Sequence, residues 1–158
     1  METEKTISEH TKVMKLISKD EIKEMILFFD GEFEPPLSQR VDMEEYISKL
    51  EKFGNVFVLD YKNESAGIIA FYANDYATKC AYYNILAISK NFQNKGLGSL
   101  LFKFGLDKIE KSEMEFVRLR VRKTLENLIN FYNRCGFKYE CDANEESIYM
   151  IKKIIKKL

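Results

Sequence analysis

Tryptophan is absent from this chain, histidine occurs once, proline twice, and the charges cancel, with 25 Lys and Arg against 25 Asp and Glu. Each shortage removes a class of function. The single histidine, His10, sits near the N-terminus and reads as a solvated residue, which makes a Ser-His-Asp hydrolase and a histidine zinc site poor hypotheses. A net charge of zero argues against a dedicated nucleic-acid binder, which needs a basic surplus to neutralise phosphates. The three cysteines, Cys80, Cys135 and Cys141, are odd in number and lack CxxC spacing, so they read as reduced thiols, with no disulfide frame and no metal site. No apolar run approaches the roughly 18 residues of a membrane span. The opening METEKTISEHTK lacks the apolar stretch of a signal peptide, and the cytoplasm is the expected location.

What is present suits a packed fold. Apolar residues make up 46% of the 158 and aromatics 13%, enough for one core, and no linker or repeat divides the chain, so residues 1–158 are expected to form a single domain. Lys12 to Ile17 reads as a first strand. Ser18 with Glu21 forms a capping-box pattern ahead of Ile22, Met25, Ile26 and Phe29, a helix face that should end at Gly31. The prolines place GEFEPPLSQR in a loop. Asp42 caps a second helix carrying Met43, Tyr46, Ile47 and Leu50, ended by Gly54. Val56 to Tyr61 and Gly67 to Tyr72 form a hairpin through Lys62 to Ser65, and Lys79 to Ile88 is a third β-rich run. A helix follows from near Gly96, then a strand over Phe116 to Val121 and a helix over Leu125 to Cys135. A closing hairpin spans Phe137 to Asp142 and Ile148 to Ile151. The order implies an α/β fold with antiparallel pairs at the front and a parallel crossover around Gly96 to Lys111.

The sharpest local signal is Gln93-Asn94-Lys95-Gly96-Leu97-Gly98-Ser99, between a strand and a helix. Unpaired N–H groups and the helix dipole favour a diphosphate at such a start, and glycine lets it approach the backbone. A Walker loop would need a lysine before Ser99, and a dinucleotide fingerprint would need glycine where Leu101 stands. A tight turn alone would also explain the glycines.

The longer stretch Tyr83-Asn84-Ile85-Leu86-Ala87-Ile88, continued through Gln93 to Gly98, resembles the acyl-CoA-binding motif of the GNAT superfamily of N-acetyltransferases. Asn130-Phe131-Tyr132-Asn133-Arg134-Cys135-Gly136-Phe137 resembles that family's second hallmark, and the likeness covers roughly Val56 to Tyr139. It implies the acyl-CoA N-acyltransferase fold, a mixed and mostly antiparallel sheet with helices on both faces. It implies acetyl-CoA as cofactor, with Leu86, Ala87 and Ile88 offering backbone groups to the pantetheine arm. Gln93, Asn94, Lys95, Gly96, Leu97, Gly98 and Ser99 would hold the diphosphate, and Asn127 would touch the cofactor. An N–H of the same strand would stabilise the oxyanion. Tyr132 would be the catalytic acid, protonating the departing thiolate.

Two positions depart from the family pattern. Asn84 stands where a glutamate often serves as base, and Leu125 stands where an asparagine often opens the last helix. The base is therefore open among Asp75, Glu34 and Tyr82. The acceptor is expected near Glu32 to Arg40 and Tyr72 to Tyr76, with Glu34, Arg40, Tyr72, Asn74, Asp75 and Tyr82 as contacts. Their acidic and aromatic mix suits an amino sugar, polyamine or amino acid. The implied activity is acetyl transfer to a primary amine of a small molecule by direct attack, without an acyl-enzyme on Cys80 or Cys135. A non-catalytic acyl-CoA sensor and a protein N-acetyltransferase are the alternatives. A homodimer is compatible with the resemblance, whereas a nucleic-acid partner and a membrane span are not expected. In the tail, Ile151, Ile154, Ile155 and Leu158 fall at helical spacing with lysines opposite, as in an interfacial helix, although a last strand followed by a short packed helix is favoured.

Overall fold

The computed structural model describes residues 1–155. Four helices, α1 (Lys19–Phe29), α2 (Met43–Phe53), α3 (Leu97–Glu110) and α4 (Glu126–Arg134), accompany eight strands. The strands are β1 (Glu2–Thr6), β2 (Thr11–Leu16), β3 (Gly54–Tyr61), β4 (Glu64–Tyr72), β5 (Cys80–Ile88), β6 (Phe116–Arg122), β7 (Lys138–Asp142) and β8 (Ser147–Lys153). They join in the order β1-β2-β3-β4-β5-β6-β8-β7. The pairs β1–β2, β2–β3, β6–β8 and β7–β8 are antiparallel, while β5 and β6 run parallel with α3 between them in sequence.

The contacts divide this mixed, mostly antiparallel α/β fold into two compact units. One holds Met1–Phe71 and Ile85–Leu106, the other Tyr72–Asn84 and the chain from Asp107 onward. In the first, Ser18 Oγ accepts the Glu21 N–H at 3.1 Å while Glu21 Oε1 accepts the Ser18 N–H at 3.2 Å, so the capping box starts α1 as its sequence implies. Asp42 Oδ1 starts α2 in the same way, accepting the Glu45 N–H at 3.1 Å. The buried face of α1, Ile22, Met25, Ile26 and Phe29, packs with the Ile47 and Leu50 face of α2. Strand β3 buries Val56 to Leu59 without a break, and Phe57 meets Phe104 of α3 edge-on at 5.0 Å. Lys62 and Asn63, both at positive φ, turn β3 back into β4, the geometry whose twist matches a hairpin. In the second unit Val117, Leu119 and Val121 of β6 are buried together with Ile148 and Met150 of β8.

Two readings of the chain ends are corrected. Residues 2–6, to which the sequence reading assigns no element, form an edge strand paired to β2, and every one of them is exposed. With neither face buried, the strand shows no apolar alternation to betray it. At the other end the closing strand, expected to stop at Ile151, runs on through Lys152 and Lys153, which lie opposite Val117 and Phe116 of β6. Sheet pairing overrides their helical spacing there, and the rest of that tail, residues 156–158, lies outside the described residues.

Strand β4 approaches β5 at Gly67, where an added Cβ would lie 2.4 Å from Ile88 Cδ1, 3.1 Å from the Ala87 carbonyl oxygen and 3.3 Å from Leu101 Cδ2. The Ala87 contact is with backbone, so rotation of the Ile88 side chain cannot relieve it all. Gly67→Ala is expected to destabilise the fold by about 1–3 kcal/mol in urea unfolding, the usual cost of overpacking a tight core.

Candidate active site

The cofactor segment named by the sequence lies in the first unit, and three ties hold its loop. Ser89 N–H bonds the Ala66 carbonyl at 2.9 Å, and Gln93 Nε2 bonds the Ile88 carbonyl at 2.9 Å, closing the end of β5 onto the turn that follows. The Phe92 ring meets Tyr61 of β3 edge-on at 5.9 Å. Gln93 therefore spends its side chain on shaping the loop. Asn94 and Gly96 follow at φ 64° and 77°, a left-handed excursion that turns the chain into α3. The first intrahelical bond runs from Leu100 N–H to the Gly96 carbonyl at 3.1 Å, so the N–H groups of Leu97, Gly98 and Ser99 precede it and take no helix partner. A Cβ built on Gly96 meets nothing within 4 Å, and one on Gly98 meets only Ile88 Cγ1 at 3.5 Å. Asn94, Lys95 and Gly96 are exposed and Leu97 is buried in the core. A bare, open run of N–H donors at a helix start fits a diphosphate.

Strand β5 alternates strictly: Ala81, Tyr83, Ile85 and Ala87 are buried, and Tyr82, Asn84, Leu86 and Ile88 are half-buried on the other face. Its pairing with β6 covers only Cys80↔Phe116, Ala81↔Val117 and Tyr82↔Arg118. The ladder stops there, so the backbone of Leu86, Ala87 and Ile88 lies outside it. A strand edge left unladdered is what an extended ligand needs in order to add alongside.

Tyr132 lies in the second unit, on α4. It is buried to 7% exposure and packs its ring 6.0 Å from Phe137. Burial pushes its phenol up to about 12, and the nearby Cys135 thiol acts in the same direction. The Tyr83 phenol on β5 is pushed well up by burial, with Tyr132 next among the causes, so the two phenols are neighbours on the buried face of β5. Asn127 is exposed in the first turn of α4, and no capping side chain opens that helix at Leu125.

The expected acceptor residues divide. Glu34 and Arg40 are exposed in the loop between α1 and α2, within the first unit. Tyr72, Asn74, Asp75 and Tyr82 belong to the second. There Asp75 and Tyr82 line a cleft of about 500 Å³, and Tyr72 and Asn74 do not. Its remaining lining includes Cys80, Phe116, Arg118, Glu140 and Ile151. Arg118 and Glu140 carry no local signal, because they come from β6 and β7 and meet only through sheet pairing. Asp75 accepts the Thr78 N–H at 3.1 Å, and bonds from Thr78 hold its carboxyl below the usual range. Burial pushes the Tyr82 phenol up. Among the described residues no cluster of His, Cys, Asp and Glu could hold a metal ion, and no helix is long and apolar enough to cross a membrane.

The Acetyltransferase (GNAT) family profile matches residues 19–137, and the chain belongs to that family of acetyltransferases. No curated protein sequence matches it. Among solved structures, the ribosomal-protein-S18-alanine N-acetyltransferase of Escherichia coli superposes with a TM-score of 0.75 at 18% identity, covering 94% of this chain and 96% of that one. A dodecameric spermidine N-acetyltransferase of Vibrio cholerae gives 0.71 at 16%, covering 92% and 95%. The paia N-acetyltransferase of Thermoplasma acidophilum, solved with coenzyme A, gives 0.68 at 18%, covering 90% and 98%. At such identities the likeness bears on the fold.

Gly98→Asp tests the loop. The new side chain has room beside Ile88, so the variant should fold, but its carboxylate adds like charge where a diphosphate would sit. Acetyl-CoA at a hundred times its dissociation constant should stabilise the parent chain by about 2.7 kcal/mol. In the variant that gain should vanish in the same thermal-shift measurement.

Proposed function

We propose that this acetyltransferase passes the acetyl group of acetyl-CoA to the primary amine of a small molecule, in the cytoplasm, by direct attack. The observation that supports acetyl-CoA most directly is the conjunction in the first unit: a strand edge unladdered at Leu86 to Ile88 runs into a loop of open N–H donors at the start of α3. In this reading Leu86, Ala87 and Ile88 hold the pantetheine arm by backbone groups, and residues 94–99 hold the diphosphate, with Gln93 fixing the loop. Asn127, exposed on the first turn of α4, remains a peripheral contact. When bound, acetyl-CoA supplies the acetyl group as a thioester, whose carbonyl carbon takes the amine nitrogen as its C–S bond breaks.

Tyr132 holds the proton for the departing sulfur on its Oη. A phenol pushed up to about 12 stays protonated throughout the neutral range, so it is a donor and not a base. The cytoplasmic assignment is supported by Cys80, Cys135 and Cys141, none of which is in a disulfide.

The experiment is turnover of acetyl-CoA against a panel of small amines, read by thiol release. Tyr132→Phe keeps the ring and removes the hydroxyl that carries the proton, so kcat should fall about 10²- to 10⁴-fold with the acetyl-CoA dissociation constant within about threefold. In the parent enzyme kcat should show no alkaline loss from Tyr132 between about pH 7 and about pH 10, because the raised phenol ionises only above that window. If acetyl-CoA binds and no small amine is turned over while a protein N-terminus is acetylated, the acceptor is a protein and this reading of it fails.

A further inference from the structure

The cleft on the second unit is lined by two carboxylates, Asp75 and Glu140, and one guanidinium, Arg118, and each already has a partner. Both carboxylates are committed. Asp75 is taken up by its own turn at Thr78. Glu140 Oε1 accepts from Arg118 Nε at 2.5 Å. Arg118 is fixed on two sides, by that bond and by the Tyr149 ring, whose centroid lies 3.8 Å from its Cζ. Its Nη2 lies 3.8 Å from Cys141 Sγ, and among the described residues nothing takes Nη1. The Arg118 side chain is 34% exposed, so the guanidinium is half-desolvated yet reachable. On the same strand face Arg120 is held by Ser147 Oγ at 2.9 Å. Phe116, Ile151, Ala81 and the ring of Tyr82 supply the apolar wall.

These commitments decide which ligand charge the cleft favours. An ammonium group would find both acids engaged and a guanidinium beside them. A carboxylate would find the unused Nη1 donor of a guanidinium whose plane Glu140 and Tyr149 already fix, so little side-chain entropy is lost on binding. About 500 Å³ is room for a molecule of amino-acid size or somewhat larger. We propose that the cleft binds the acceptor through a carboxylate held by Arg118, so that the substrate is an amine that also carries a carboxylate and an apolar or aromatic body. This assignment rests on the acetyl-transfer reading above. It narrows the acceptor to the amino-acid class and sets aside polyamines and amino sugars, which bring no carboxylate to the guanidinium.

The test pairs each amine with its decarboxylated twin, L-phenylalanine with phenethylamine and L-leucine with isoamylamine, using the full chain and acetyl-CoA. The carboxylated member should be preferred in kcat/KM by about 10- to 100-fold, the range of one or two hydrogen bonds to a charged group. Arg118→Lys leaves a cation beside Glu140, so the sheet should fold with a similar melting temperature, but the fork is lost. In that variant the preference should shrink at least about tenfold through KM for the carboxylated amine, with KM for acetyl-CoA little changed. Arg118→Gln, checked for folding by its melting curve, should erase the preference. Equal or better turnover of the decarboxylated twins, or a preference unaltered in a folded Arg118 variant, would overturn the inference and leave acetyl transfer standing. If calorimetry shows the carboxylated amines binding through Arg118 while none is acetylated, the cleft keeps its carboxylate chemistry and the transfer reading falls.

Discussion

The early end of the β5–β6 ladder is the constraint on which the rest turns. Two parallel strands that pair over only three residues leave the far end of β5 without that partner, and a half-paired strand is costly unless something else fixes it. Here β4 and the loop after β5 do so. Gly67 lets β4 come close, the Ser89 and Gln93 bonds tie down the strand end, and Phe92 anchors on Tyr61. The strand end is thus tied down although the β6 ladder does not reach it. Without those ties the same segment would be an edge prone to pairing with any passing strand.

Burial then sets the chemistry of the second unit. The alternation of β5 places Tyr83 on the covered face, beside Tyr132, and Tyr82 on the half-open face of the cleft. Both Tyr83 and Tyr132 are kept neutral by low solvation, and a neutral phenol in a dry setting makes a strong hydrogen bond to a developing anion. Full proton transfer from a phenol near 12 to a thiolate of ordinary basicity, about 8.5, runs uphill. In the proposed reaction the gain from Tyr132 therefore comes largely from the hydrogen bond to the sulfur as its charge grows, before the proton crosses.

The sequence disclosed most where structure is local. The Ser18–Glu21 box, the Asp42 cap, the turn at Lys62 and Asn63 and the glycine loop ahead of α3 all depend on neighbours within a few residues, and all stand where their residues imply. Strand β1 was hidden because its partner is backbone alone, so Glu2 to Thr6 needed no apolar face. The last two residues of β8, Lys152 and Lys153, were hidden because they fall in a helical spacing that only pairing with β6 overrules. The cleft was hidden most completely. Arg118, Glu140 and Tyr149 stand on three strands, and their contact depends on a β6-β8-β7 order that no local pattern encodes.

That cleft also bears on the missing base. Asn84 cannot accept a proton, Asp75 is committed to its own turn, Glu140 is committed to Arg118, and burial keeps Tyr82 protonated at neutral pH. An ammonium acceptor must lose its proton before its nitrogen can attack, and none of these four is placed to take it cheaply. Glu34, the remaining candidate, is exposed in the first unit and does not line the cleft. Under the proposed reaction the proton therefore leaves to water before the amine is seated. The carboxylate anchor then matters twice. It supplies affinity that an uncharged amine, lacking ammonium contacts, would otherwise forgo, and it lets the enzyme bind the neutral-amine form without needing an acid to stabilise the wrong one. A guanidinium beside the entry works in the same direction, because a nearby positive charge lowers the pKa of an approaching ammonium.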